Sequence, residues 1–235
     1  MMNLVIDIGN TLVKYAVFSE NEIVELKKME IENEELIKNL VSEYKIKSII
    51  ISSVRKERGW NFNIRTIVLS EKTKLPINLK YKTPQTLGND RIANVVAVNS
   101  LYKNKNILVI DAGTCITFDF IDNHSCYHGG RISPGLNMRY KSLNEFTSNL
   151  PKLSITKDFT LFGDDTNSSI ITGVQMGVIS EIEGFISDLK KEKEDLIVIL
   201  TGGDTFFFEN YLKNGIFADP NLVLKGLNEI LKYNE

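Results

Sequence analysis

Short apolar runs separated by polar turns dominate the chain. Leu4-Val5-Ile6 ends at Asp7-Ile8-Gly9-Asn10-Thr11 and the apolar pattern resumes from Leu12 to Phe18, which predicts two strands joined by a tight Gly-Asn turn. Ile31 to Tyr44 carries Leu36, Ile37, Leu40, Val41 and Tyr44 at helical spacing, with acidic residues early, where a helix N-terminus favours them. Ser48 to Val54 reads as a buried strand and Asp90 to Tyr102 as an amphipathic helix. The lysine-rich connection Lys103-Asn104-Lys105-Asn106 marks a boundary, dividing the chain into domains 1–105 and 106–235.

The second half repeats the opening. Ile107 to Ile110 is a strand that ends in Asp111-Ala112-Gly113-Thr114, and the strand pattern resumes from Cys115 to Ile121. Each half therefore has an apolar strand, an aspartate, a glycine, a threonine and a second strand, as an internal duplication would produce. A Gly/Pro-rich loop follows from Gly129 to Gly135, then a long helix within Ser168 to Lys190 and a charged link from Lys190 to Asp195. A buried strand, Leu196 to Leu200, runs into Thr201-Gly202-Gly203-Asp204, and Leu222 to Leu231 closes the chain as a helix. The reading is an α/β protein of two related domains.

Composition narrows the function classes. With 43% hydrophobic and 25% charged residues the chain is globular. Lys+Arg 28 against Asp+Glu 30 leaves a charge of −2, so no global basic field draws it to nucleic acid or anionic lipid. Its apolar runs are strand-length, short of the roughly 20 residues of a spanning helix. Asp7 interrupts the N-terminal apolar stretch too early for a secretory signal, and Cys115 and Cys126 make no disulfide framework. The expectation is a cytoplasmic protein without membrane or nucleic-acid partners. His124, Cys126 and His128 alternate, so a strand would turn all three to one side with zinc-ligand chemistry. No fourth ligand is near, and a solvated hairpin is the better reading.

The chemistry is expected in the loops. A Gly-Asn-Thr turn between strands offers backbone N–H groups and a hydroxyl in a small concavity suited to phosphate oxygens. An aspartate at the preceding strand end can organise a metal or its water shell, and Lys14 adds a point charge if it turns inward. Asp90-Arg91 at a helix start reads as a helix cap with a surface ion pair, or as a base with a planar cationic fork.

Three such loops are the signature of the actin, hexokinase and acetate kinase superfamily, and the sequence resembles its type III pantothenate kinases. The resemblance rests on Asp7-Ile8-Gly9-Asn10-Thr11-Leu12-Val13-Lys14, Ile51 to Val54, Leu87 to Asn94, Asp111 to Thr117, Gly129 to Leu136, Leu150-Pro151, Thr166 and Thr201 to Asp204. These occur in family order. It implies two ribonuclease-H-like domains and phosphorylation of pantothenate by ATP, the first step toward coenzyme A, with magnesium accompanying ATP.

By the same resemblance Asp7 to Lys14, Thr114, Gly202 and Gly203 bind ATP, and Asp90 is the catalytic base. Tyr81, Gly88, Asn89, Asp90, Arg91 and Thr166 line the pantothenate pocket. Asp111 holds a monovalent cation, potassium or ammonium, and Asp7 organises magnesium through water. The resemblance also implies a homodimer with substrate pockets at the subunit interface. Cys115 departs from the family's usual alanine. Two alternatives are a non-catalytic accessory regulator of the same fold and another superfamily enzyme, a phosphatase of polyphosphate or pppGpp or a small sugar kinase. Three spaced carboxylates, Asp7, Asp90 and Asp111, argue against the first. The Gly-x-Asp-Arg and Gly-Gly-x-Ile-x-Pro-Gly set argues against the second.

Overall fold

A computed structural model describes residues 2–55, 62–214 and 216–235. The chain forms two compact units. The first comprises residues 1–104, 124–128 and 221–235, and the second 105–123 and 129–220. The break after Asn104 falls at the lysine-rich connection, but the terminal helix belongs to the first unit, whereas the sequence boundary assigns it to 106–235.

In the first unit, β1 (Met2–Ile8) and β2 (Val13–Ser19) form the expected antiparallel hairpin, closed by Ile8 opposite Val13. Its turn is a four-residue loop rather than a two-residue one, with the Gly9 N–H donating to the Leu12 carbonyl at 3.0 Å. A third strand, β3 (Glu22–Met29), extends the hairpin, followed by α1 (Glu34–Glu43), β4 (Ser48–Ser53) and β5 (Arg65–Val68). The sheet order is β3-β2-β1-β4-β5, with β4 and β5 parallel to β1. Helix α1 starts later than its apolar spacing suggests, because the Asn33 side chain accepts the Leu36 N–H at 2.9 Å and caps it there.

Strand alternation sends Leu4, Ile6 and Ile8 into a core with Ile37 and Leu40 of α1. Asn3, Val5 and Asp7 face the other way. That face packs on the terminal helix α6 (Leu222–Tyr233), where Asn3 Nδ2 donates to Asn228 Oδ1 at 3.2 Å. Helix α6 in turn packs on α2 (Asn89–Leu101) at a crossing so close that a Cβ on Gly226 would fall on the Ala93 carbonyl oxygen. Helix α2 is not amphipathic as read from sequence. Its residues from Arg91 to Val98 are all buried.

The second unit repeats this order. Hairpin β7 (Ile107–Ala112) and β8 (Cys115–Ile121) is followed by β9 (Cys126–Pro134), and β10 (Ile197–Thr201) and β11 (Phe217–Ala218) lie parallel to β7. The order β9-β8-β7-β10-β11 matches the first sheet strand for strand. The Gly129 to Gly135 segment is thus mainly a strand, not a loop. A Cβ on Gly130 would meet the Phe118 carbonyl, so this glycine permits close strand approach. The first residues of β9 belong to the first unit, where Cys126 and Tyr127 pair with the short β6 (Asn78–Leu79).

Helices α3 (Leu136–Glu145), α4 (Thr166–Glu192) and the single-turn α5 (Thr205–Phe208) complete this unit. Helix α4 runs past both sequence-assigned ends, capped by Asp165, and takes up part of the expected charged link. Among the described residues it alone is long and apolar enough to cross a membrane, which the strand-length apolar runs did not suggest. Its Ile170, Val174, Val178, Ile182 and Ile186 instead pack against Leu108, Ile110 and Phe118 in the core of the unit.

Candidate functional site

In the first unit the site is built at the end of β1. The register pairs Asp7 with Lys14 across the hairpin and with Ser52 across the parallel neighbour, so the three side chains share one face of the sheet. Asp7 is half-buried, and burial is the main reason its carboxyl rises from the usual range to about 6. The Asp90 charge raises it further, while Lys14 and the Ser52 hydroxyl pull it back. Asp90, far from Asp7 in sequence, therefore lies near enough for its charge to reach the Asp7 carboxyl. Two carboxylates with one lysine beside them form a centre that attracts a cation and tolerates a bound phosphate once that cation is present.

The adjoining loop suits anions. Asn10, Thr11 and Leu12 are exposed, and among the described residues their backbone N–H groups meet no protein acceptor. Several such amides in one short loop supply aligned partial positive charge.

Asp90 lies in the first turn of α2 and its Oδ1 accepts the Arg91 N–H at 2.9 Å. The helix cap is Gly88, not Asp90, and a Cβ there would strike the Asp90 carboxylate. Arg91 is buried rather than at the surface: it is 5% exposed, and its guanidinium lies over the Tyr81 ring with 5.9 Å to the centroid. Tyr81 stacks on Tyr127, centroids 6.0 Å apart. Tyr81, Gly88, Asp90 and Arg91 thus form a connected group. Asn89 turns its amide to the Leu69 carbonyl at 3.3 Å.

The second unit repeats the motif with altered chemistry. Asp111 is in register with Thr117 on β8 and Thr201 on β10, so a hydroxyl replaces the lysine. Gly113 N–H closes the tighter turn on the Cys115 carbonyl at 2.9 Å, leaving Thr114 exposed. Gly202 has φ +98°, and a Cβ there would meet the Ala112 carbonyl and lie 2.6 Å from Asp111 Oδ1. Gly203 has open space at the same position, leaving room for a ligand against the backbone. Cys115 is a free, half-buried thiol.

Thr166, in this unit, opens α4 beside a cavity of about 850 Å³ that Arg139, Ser142, Asp164 and Asp165 also line. Sequence reasoning missed Arg139 because it left α3 unassigned. Arg139 donates from Nε to the Pro134 carbonyl at 2.9 Å and from Nη2 to Ser133 at 2.7 Å, and it pairs with Glu181. The Gly-Gly-x-Ile-x-Pro-Gly run, which holds two of these acceptors, could have flagged it. Among the described residues no three His, Cys, Asp or Glu side chains group as a metal centre, His124, Cys126 and His128 included. A cation at Asp7 or Asp111 would thus draw its remaining ligands from water, backbone and ligand oxygens, as magnesium at phosphate sites commonly does.

The duplicated 3-2-1-4-5 sheet is the two-domain fold of actin-like ATPases and hexokinase-type kinases. A glucokinase from an Antarctic psychrotroph shares it at 13% identity and a TM-score of 0.53, over 100% of this chain and 99% of the other. A Campylobacter jejuni protein assigned to the Baf family of transcriptional activators shares it at 24% identity and a TM-score of 0.63, over 98% of both chains. These two likenesses define the class by fold. Residues 3–188 match the family model of type III pantothenate kinase. The type III pantothenate kinase of Phocaeicola vulgatus is 48% identical over 100% of this chain and 99% of its own. The chain belongs to the type III pantothenate kinase family: it is a kinase, and its reaction is the phosphorylation of pantothenate in coenzyme A biosynthesis.

Proposed function

We propose that the first unit carries the chemistry of the transfer. Asp90 accepts the proton of the primary hydroxyl of pantothenate as that oxygen forms its bond to the terminal phosphorus of ATP, and ADP leaves with the bridging oxygen. The Asn10, Thr11 and Leu12 amides, with the Thr11 hydroxyl and Lys14, bind the terminal phosphates, and Arg91 with Tyr81 orients the carboxylate end of the substrate. In the second unit Thr114 holds the inner phosphates, Gly202 and Gly203 lie against the adenosine, and Asp111 holds potassium or ammonium. Asp7 holds magnesium through water. Bound there, the ion neutralises charge on the phosphate oxygens, and the raised carboxyl of Asp7 is the kind of group such an ion would return to its ionised form.

The observation that carries this reading is the placing of Asp7 in register with Lys14 and Ser52 on one face of the sheet, beside an anion-ready loop. Thr166 serves pantothenate from a neighbouring subunit in a cytoplasmic homodimer. The second unit leaves Phe146 85% and Phe162 81% exposed, apolar surface that a partner copy would cover. The test is ADP release with and without pantothenate. The reading requires pantothenate-dependent release that Asp90→Asn abolishes; release indifferent to pantothenate overturns it.

A further inference from the structure

Arg55 directly follows the Ile51 to Val54 motif, two residues past the end of β4, and no role attaches to it so far. Its backbone is pinned by Ser53: the Arg55 N–H donates to the Ser53 hydroxyl at 3.1 Å, and that hydroxyl donates to the Arg55 carbonyl at 3.0 Å. From this anchor the guanidinium crosses to the loop after β1, where Nη2 donates to the Asn10 carbonyl at 2.9 Å. A guanidinium has five N–H donors in a planar fork. Among the described residues this carbonyl is the one acceptor they meet, and no carboxylate pairs with the side chain.

An arginine held half-buried with no carboxylate partner among the described residues, against a loop whose Asn10, Thr11 and Leu12 amides meet no acceptor among them, has the makings of an anion site. Asn10, Thr11 and Leu12 supply backbone donors from one side. Arg55 brings a second, planar set to the same loop. Lys14 cannot duplicate it, because an ammonium on β2 is a point charge whereas the fork can take two oxygens of one phosphate at once.

We propose that Arg55 binds the terminal phosphate of the nucleotide, drawing the loop in through Asn10 and offering its remaining N–H donors to the phosphate oxygens. The proposal rests on the reading of Gly9 to Leu12 as a phosphate loop. It makes Arg55 a discriminator between ATP and ADP, since only ATP has the group it contacts.

The experiment measures affinity for ADP and for a non-hydrolysable ATP analogue in wild type, Arg55→Ala, Arg55→Lys and Lys14→Met, with melting temperature recorded for each. Arg55→Ala should weaken the analogue roughly ten-fold or more, as loss of charge-assisted bonds does. ADP affinity should stay within about two-fold, and Arg55→Lys should recover only part of the loss. Equal weakening of both nucleotides with a lower melting temperature would make Arg55 a structural strap and overturn the proposal. So would unchanged affinities in Arg55→Ala while Lys14→Met loses the analogue; in that case the loop reading survives. If neither variant affects analogue binding, the loop reading falls too.

Discussion

Ser52 lies directly across from Asp7 on the neighbouring parallel strand. Thr201 stands in the same relation to Asp111. The duplication therefore preserves more than two glycine loops: it preserves a strand-end carboxylate with a buried hydroxyl residue beside it. The two copies part company across the hairpin, where Lys14 faces Asp7 and Thr117 faces Asp111. A lysine adds full positive charge and a hydroxyl only a dipole. On charge alone, the first copy suits the end of a polyphosphate and the second a less charged ligand or a monovalent cation.

Asp7 gives a prediction with a definite sign. Its carboxyl titrates near 6 in the folded chain, above its ordinary value of 3.8, so folding disfavours the ionised form. Its contribution to stability is most favourable below about pH 4, declines between there and pH 6, and remains a penalty above. Asp7→Asn should therefore raise the stability at pH 8 by on the order of 1–2 kcal/mol, leave it nearly unchanged at pH 4, and abolish turnover. Thermal melts at the two pH values check this. A variant less stable than wild type at pH 8 would contradict it. Lys14→Met removes the main charge holding the carboxyl down, so the acidic limb of the activity profile should move to higher pH.

Asp90→Asn separates base from scaffold. The bond to the Arg91 N–H can be made by an amide oxygen, so the helix start should survive and the melting temperature should change little. The proton acceptor is lost, and kcat should fall by roughly 10²–10⁴-fold. Steady-state kinetics under saturating pantothenate decide it; a near-normal kcat would return Asp90 to a purely structural role.

Both hairpins were legible from sequence because each has a buried strand broken by a polar turn. Strand β3 was not, since Glu22, Glu25, Lys27 and Lys28 give an edge strand little apolar signal. Glycines misled at β9, where Gly130 serves close approach rather than a turn. The return of α6 to the first unit is a non-local contact that depends on Gly226 against Ala93 and carries no local signature. Among site residues, the loop glycines and aspartates were visible as motifs. Arg139 and Arg55 were not, because their partners are backbone carbonyls and side chains brought near by the fold.

The cation at Asp111 is tested by salt identity. If this carboxylate holds a monovalent cation, activity should be low in sodium or Tris and rise with potassium or ammonium. Choline at equal ionic strength should not substitute, because screening depends on ionic strength and not on the ion. Asp111→Asn should flatten the response. Equal activity in all of these salts would remove the cation from the site.

Gly88 offers the most specific test of the geometry around Asp90. Its backbone needs no left-handed conformation, so its requirement comes from space alone: a Cβ at this position would strike the Asp90 carboxylate. The obstructing atoms are the end of a side chain that can rotate away. Gly88→Ala should thus fold, with stability within about 1 kcal/mol of wild type, the scale of a glycine-to-alanine exchange at a compatible position. The carboxylate must move, however, and a displaced base loses its reach to the substrate hydroxyl; a misplacement of about 1 Å is enough to cost roughly 10²-fold in rate. The expected signature is a large fall in kcat with nucleotide affinity preserved, since the loop after β1 is untouched. Gly203→Ala is the matched control in the other unit. Its Cβ meets nothing among the described residues, so a loss there is expected to arise against bound nucleotide and appear in nucleotide affinity. A Gly88→Ala enzyme with wild-type turnover would show that the Asp90 carboxylate does not need the position it occupies, and the assignment of Asp90 as the base would fall with it.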